Sequence, residues 1–142
     1  MKQKLFVAGK GLIVHDGKVL ILQEGKGDSE HVHDGKWQFP GGRINFGEHP
    51  LDGLKREVYE ESGLHMSNPR PIYVDHWMPK PIPDEDWQIV AVFYRADVED
   101  MTEVKLSHEH KAYAWIGRDD IDKYILLPED LAAFNMIQKD LT

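Results

Sequence analysis

Hydrophobic positions along this chain follow two periods. Leu5 to His15 is apolar with interleaved glycines, and Lys18–Gln23 (KVLILQ) is a second β-rich run. Asp16-Gly17 between them is a hairpin turn signal, so the two runs predict paired strands. Arg70–Met78, Trp87–Val98 and His110–Ile116 are rich in aromatic and β-branched residues and read as further strands. The segment WQFPGG, Trp37 to Gly42, reads as a short strand ending in a turn. The polar, glycine-bearing stretch 25–36 reads as a mobile loop, and PKPIPDED, between the two long strands, as a proline-rich one.

The period changes to that of a helix after Gly47. Leu51, Leu54 and Val58 fall at i, i+3 and i+7 and form one apolar stripe. Pro50 suits the first helical position, where its missing N–H is not needed. Gly63 suits the left-handed residue just past the end. Pattern and caps together predict a helix from Pro50 to Ser62. Arg118–Tyr124 reads as a short helix. Pro128–Leu141 reads as a final one, with Leu131, Phe134, Ile137 and Leu141 on one side. Strands on both sides of an embedded helix, closed by a second helix, predict an α/β fold with a mixed sheet between helices.

Composition narrows the function. A chain of 142 residues suggests one domain, 1–142, and 41% apolar residues suffice for a core. The absence of cysteine excludes disulfides and thiolate zinc sites, and it suits a cytoplasmic protein. The N-terminus is a poor signal peptide, and no apolar run reaches the roughly 18–20 residues of a membrane span. A net charge of −8 disfavours nonspecific binding to nucleic acid. It does not exclude a small phosphorylated substrate, because bound cations reverse the local field.

The negative charge is concentrated where a helix tolerates it least. Glu57 and Glu61 stand one above the other at i,i+4, and Glu60 flanks them, so three carboxylates share the face opposite the apolar stripe. They lie in the last turn, where the helix dipole is negative. Only Lys55 and Arg56 are near to compensate. A solvated acidic face is one reading. The other is a site for a cation: hard oxygen ligands select Mg²⁺, Mn²⁺ or Ca²⁺, and Mg²⁺ is usually completed by water and substrate phosphates.

The spacing carries a more specific signal. Gly42 is followed after five residues by Glu48, after seven more by Arg56-Glu57-Val58, then by Glu60-Glu61 and Gly63-Leu64. This resembles the signature box of the Nudix hydrolase family at every defined position. The box covers about a sixth of the chain, and the order of flanking elements is similar to the family's α/β/α sandwich. The resemblance implies hydrolysis of a pyrophosphate bond in a nucleoside diphosphate linked to another group, assisted by Mg²⁺ or Mn²⁺. By position, Glu57 and Glu61 resemble the direct metal ligands, Glu60 a further ligand directly or through water, and the Gly42 carbonyl an additional one. Arg56 resembles the orienting arginine that pairs with a box carboxylate such as Glu48. The general base is a box glutamate in some members and a later acid in others; Glu109, in SHEHKAYAWI, is the candidate for the latter.

Arg43, Lys36 and Lys10 are candidate phosphate contacts. Trp37, Trp77, Trp87 and Phe46 are candidates to stack on a base. The pairs His108/His110 and His31/His33 have the spacing of metal ligands but also that of chance. The compact chain favours a (deoxy)nucleoside triphosphate as substrate, giving the monophosphate and pyrophosphate. ADP-ribose, nucleotide sugars and dinucleoside polyphosphates are the alternatives. Pro79, fifteen residues beyond Leu64, is a marker of ADP-ribose enzymes, in a loop where two further prolines follow. A nucleotide-sensing module without catalysis and a calcium-binding structural domain are readings from other classes. Family members are often homodimers, so a homodimer is the expectation by analogy.

Overall fold

The computed structural model describes residues 1–25, 35–79, 83–100 and 103–142. The loop expected at 25–36 therefore falls largely outside the described residues, as do His31, His33 and Pro81. The described strands are β1 (Lys2–His15), β2 (Lys18–Glu24), β3 (Trp37–Gln38), β4 (Gly41–Arg43), β5 (Met66–Trp77), β6 (Glu85–Val98) and β7 (His110–Ile116). Helix α1 spans Pro50–Ser62 and α2 spans Pro128–Ile137. The strands form one seven-stranded mixed sheet.

β1 is the pivot. It pairs in parallel with β6 from Lys2↔Glu85 to Val14↔Asp97, and β5 lies antiparallel on the far side of β6. On its other edge β1 changes partner part-way. It is joined to β2 only at Val14↔Val19 and His15↔Lys18, across a turn in which Asp16 and Gly17 both have positive φ (50° and 74°). Two consecutive positive φ values match the twist of a tight hairpin, which the Asp-Gly pair can supply. Beyond the turn β2 leaves β1 and pairs with β7 and β3, while β4 takes its place on β1 at Ala8↔Arg43, Gly9↔Gly42 and Lys10↔Gly41. The sheet thus splits, and the split is where the acidic end of α1 arrives.

Both faces of the sheet are covered, which explains the nearly continuous apolar runs. Alternate residues serve opposite cores. Leu12, Val19 and Ile21 pack with Phe39, Phe93 and Phe134 on the α2 side. Ile13, Leu20 and Leu22 pack with Leu54, Val58 and Leu64 on the α1 side. Among the described residues no helix is long and apolar enough to cross a membrane.

The caps of α1 work as expected. His49 Nδ1 accepts from the Leu51 N–H, Pro50 opens the helix, and Gly63 closes it at φ 76°. The expectation for α2 needs correction. Its inward face is Asp130, Ala133, Phe134 and Ile137, whereas Leu131 is 40% exposed. The helix stops at Ile137, and a 3-10 turn, Gln138–Asp140, brings Leu141 into the core. A polar residue sets this rotation: the Asp130 carboxylate accepts the Phe39 N–H at 2.8 Å and pairs with Lys10 Nζ at 3.2 Å. The short helix expected over Arg118–Tyr124 is a single 3-10 turn, Ile121–Lys123.

Candidate active site

The site is built where α1 meets the split. Glu61, in the last turn of α1, is 6% exposed, so it does not share a solvated face with Glu57 and Glu60 as its spacing suggested. It points between the strands, where its Oε1 accepts the Gly41 N–H at 2.8 Å. Its Oε2 lies 3.8 Å from Nε2 of His110, at the start of β7. Burial pushes the Glu61 carboxyl up to about 8, against the opposing pull of the Gly41 N–H and Lys10. Glu57, one turn earlier, is half-buried, and its pKa is raised by the same desolvation. The charge of Glu109 bears on both carboxylates, which brings that exposed acid into the same field.

Gly42 has a steric reason to be glycine. A Cβ there would lie 2.8 Å from the Glu57 carboxyl carbon and 2.9 Å from its Oε2. The backbone at Gly42 and the Glu57 carboxylate therefore face each other at close range. Gly41, at φ 148°, lies so close to Gly9 and Lys10 that a Cβ would strike the Gly9 carbonyl.

Arg56 holds the assembly together. Its Nε and one terminal nitrogen form a fork on the two oxygens of Glu48 at 2.9 and 3.0 Å. The other terminal nitrogen bonds Glu57 Oε1 at 3.0 Å and lies 3.6 Å from Glu60. Glu48 also accepts the Asn45 N–H, and these contacts, the Arg56 bond first, hold its carboxyl down at about 2. Glu60 is the outermost of the three acids, its side chain 56% exposed.

A family model described as the NUDIX domain matches residues 6–138. The chain belongs to the NUDIX family. Relatives agree in kind. The chain is 31% identical over 110 residues to the bis(5'-nucleosyl)-tetraphosphatase of Rattus norvegicus, covering 71% of this chain and 65% of that protein. It thus spans about two thirds of that relative's length. It is 30% identical over 133 residues to the nucleoside triphosphatase NudI of Escherichia coli, covering 89% and 90%. It is also 25% identical over 128 residues to the E. coli CTP pyrophosphohydrolase, covering 90% and 87%. A MutT NUDIX hydrolase from Burkholderia pseudomallei has the same fold, with TM-score 0.77 at 24% identity, covering 94% of this chain and 98% of that one.

Members of the family generally need a divalent metal, and the donors of this Nudix chain suit one. Glu57, Glu60, Glu61 and the Gly42 carbonyl are all hard oxygens. The bare Cα of Gly42 leaves space in front of the Glu57 carboxylate that a side chain would fill. Among the described residues, no three acidic or imidazole side chains already converge on one point. Such a site takes its remaining ligands from backbone, water and substrate, as Mg²⁺ does.

Beside Gly41 and Gly42 opens a cavity of about 580 Å³, which Lys36, Arg43, Trp77, Trp87 and Pro79 help to line. Arg43 is pre-set rather than loose: its guanidinium stacks 4.5 Å from the Phe6 ring centre and 5.3 Å from that of Trp87. Of the other aromatic candidates, Trp37 is packed edge-on against Tyr124, and Phe46 lies fully in solvent, away from this cavity. Lys10 is not a solvated cation. It is 5% exposed, bonded to Gln38 Oε1 at 3.0 Å and paired with Asp130. Gln38 in turn donates to Glu24 at 2.6 Å, so a polar chain crosses the mouth of the split. Sequence reading missed Gln38, Glu24 and Asp130; a glutamine in a short strand and an acid in the first turn of a helix give no local sign of such partners. His108 and His110 do not form a ligand pair: His108 is exposed in the turn before β7, and His110 is buried.

Proposed function

We propose that this Nudix chain is a Mg²⁺-dependent pyrophosphohydrolase, Mn²⁺ being able to substitute. Its substrate is a (deoxy)nucleoside triphosphate, hydrolysed between the α and β phosphates to the monophosphate and pyrophosphate. One observation carries the reading: the carboxylates of Glu57 and Glu61 meet the Gly41-Gly42 backbone beside a cavity bordered by Arg43, Lys36 and two tryptophans. Near-full-length similarity to a nucleoside triphosphatase and a CTP pyrophosphohydrolase supports the substrate class.

Glu57, Glu61 and the Gly42 carbonyl would hold the cation, with Glu60 a further ligand directly or through water. When bound, the ion neutralises phosphate oxygens and lowers the pKa of a coordinated water. Arg56, itself fixed by Glu48, sets the direction of the Glu57 carboxylate. Glu109 is the candidate base, since it is exposed and its charge reaches both Glu57 and Glu61. Arg43 and Lys36 supply positive charge to the phosphate chain; Lys10 is committed to Asp130 and acts on the structure instead. Trp77 and Trp87, which line the cavity, are the candidates to stack on the base.

A second reading, hydrolysis of a dinucleoside polyphosphate, is favoured by the 31% identity to the rat tetraphosphatase. Net charge −8 supports a small-molecule partner rather than nucleic acid, and the absence of cysteine supports a cytoplasmic location. A homodimer rests on family analogy. The test is a panel of nucleoside triphosphates, dinucleoside polyphosphates, nucleotide sugars and ADP-ribose with Mg²⁺ in ¹⁸O-labelled water. Product identity fixes the substrate, and label position fixes the attacked phosphorus. Tight binding with no turnover of any member would instead indicate a nucleotide-sensing module.

A further inference from the structure

We infer that Phe6 is a positioning residue for substrate binding: its ring, together with that of Trp87, holds the Arg43 guanidinium at the border of the cavity, where it meets the phosphate chain. The inference rests on the proposed reading of Arg43 as a phosphate contact.

The register of three strands sets the contact. Arg43 on β4 is opposite Ala8 on β1, so Phe6, two residues along β1, is its diagonal neighbour. On the other edge of β1, Trp87 on β6 is opposite Lys4, which makes it diagonal to Phe6 in turn. The three side chains therefore share one face of the sheet. The guanidinium carbon lies 4.5 Å from the Phe6 ring centre and 5.3 Å from that of Trp87, both within the roughly 6 Å reach of a cation–π contact. The two rings are 4.7 Å apart and inclined at 59°. Trp87 is itself fixed: its indole N–H donates to Glu85 Oε1 at 3.1 Å, and Glu85 pairs with Lys4 at 2.8 Å.

Among the described residues the rings alone hold the guanidinium: Arg43 is exposed and makes no ion pair or side-chain hydrogen bond. It borders two cavities. One is the cavity beside Gly41 and Gly42, which Trp87 also lines; the other, of about 560 Å³, is lined by Phe6, Ile44 and Phe46. Freed from the rings, the side chain has the second space to turn into. A carboxylate partner would also hold it, but would occupy its N–H groups and cancel its charge. An aromatic face holds the cation and leaves the charge for a phosphate. A long side chain that is already ordered saves the cost of ordering it on binding, worth about 3–10-fold in affinity.

The experiment is a double-mutant cycle on Phe6 and Arg43. KM and kcat are measured with Mg²⁺ on whichever of ATP, CTP, GTP and UTP the wild-type protein cleaves fastest, and the Kd of tripolyphosphate with Mg²⁺ by calorimetry. Phe6→Leu, apolar but without a ring face, is expected to raise KM and Kd about 3–10-fold with kcat unchanged. Phe6→Tyr, which keeps the face, is expected to stay near wild type. Added to Arg43→Ala, Phe6→Leu is expected to change neither constant further. A folded Phe6→Leu variant with wild-type KM and Kd, or one that weakens both equally in the Arg43→Ala background, overturns the inference and leaves the proposed reaction standing. Arg43→Ala with wild-type constants overturns it together with the phosphate role of Arg43. Wild-type protein that cleaves none of these triphosphates overturns the proposed reaction, and Kd then decides the inference; if it also binds no tripolyphosphate, both fall. If Phe6→Leu does not fold, Phe6→Met, also without a ring, takes its place in the cycle.

Discussion

Gly41 donates its backbone N–H to Glu61 Oε1 at 2.8 Å, and this one bond fastens the C-terminal end of α1 to the strand that carries Gly42. A carboxylate in the last turn of a helix opposes the dipole and is costly to bury. Here it is kept in place by the backbone N–H of Gly41.

Replacing Glu61 by Gln keeps an oxygen to accept the Gly41 N–H and removes the charge. Folding by thermal melt is expected to be retained. Hydrolysis with Mg²⁺ should fall by at least about 100-fold, the upper end of what outer ligand-orienting groups contribute. Activity close to wild type would remove Glu61 from the ligand set.

The two glycines should respond differently. Gly42→Ala places a Cβ 2.8 Å from the Glu57 carboxyl carbon, which can swing aside. The expected result is a stability loss at the low end of the ~1–3 kcal/mol of overpacking, with a large loss of kcat/KM because Glu57 is displaced. Gly41→Ala strikes the Gly9 carbonyl at a φ that disfavours side chains, so it should unfold the protein well below the wild-type Tm. Urea titration of both variants, with kinetics on Gly42→Ala, checks the contrast.

The Arg56 fork predicts an acid limit to stability. Glu48 has a folded-state pKa near 2 and an ordinary value of 4.5, so folding favours its ionised form. Its contribution is complete above about pH 4.5 and is lost as pH falls towards 2. Glu48→Gln should therefore flatten this part of the stability–pH curve. Arg56→Lys cannot form the fork and should cost about 10-fold in activity by releasing Glu57. An unchanged pH profile in Glu48→Gln would show that the pair contributes nothing to acid stability.

Asp130 anchors α2 to the split, and Lys10 is buried beside it. Asp130→Ala would strand the lysine ammonium, at a cost of about 3–5 kcal/mol. Lys10→Met combined with Asp130→Leu should recover part of that loss, since replacing both charges removes the uncompensated ion. Denaturant midpoints of the single and double variants are the measurement. Equal losses in both would mean that the Phe39 N–H contact, not the ion pair, dominates.

What was legible in the sequence was what is decided locally. The bounds of α1 follow from Pro50, the Leu51/Leu54/Val58 stripe and Gly63, and they are found as expected. The Asp16-Gly17 turn is equally local. The spacing from Gly42 to Leu64 named the family because its parts lie on one helix and the strand leading into it. Partners brought from a distance were not legible. Glu61 looked like a surface acid because its buried state depends on Gly41, twenty residues earlier. Leu131 shares one side of the helical wheel with Phe134, Ile137 and Leu141, yet it is 40% exposed. The rotation of α2 is instead set by Asp130, bound to a backbone ninety-one residues away.

The most direct test is to identify the products formed from a nucleoside triphosphate by wild-type protein with Mg²⁺, with and without a chelator. The expected result is the nucleoside monophosphate and pyrophosphate in equal amounts, lost on chelation and restored by added Mg²⁺. Tight binding of nucleotides without cleavage of any, or cleavage indifferent to chelation, would contradict a metal-dependent pyrophosphohydrolase.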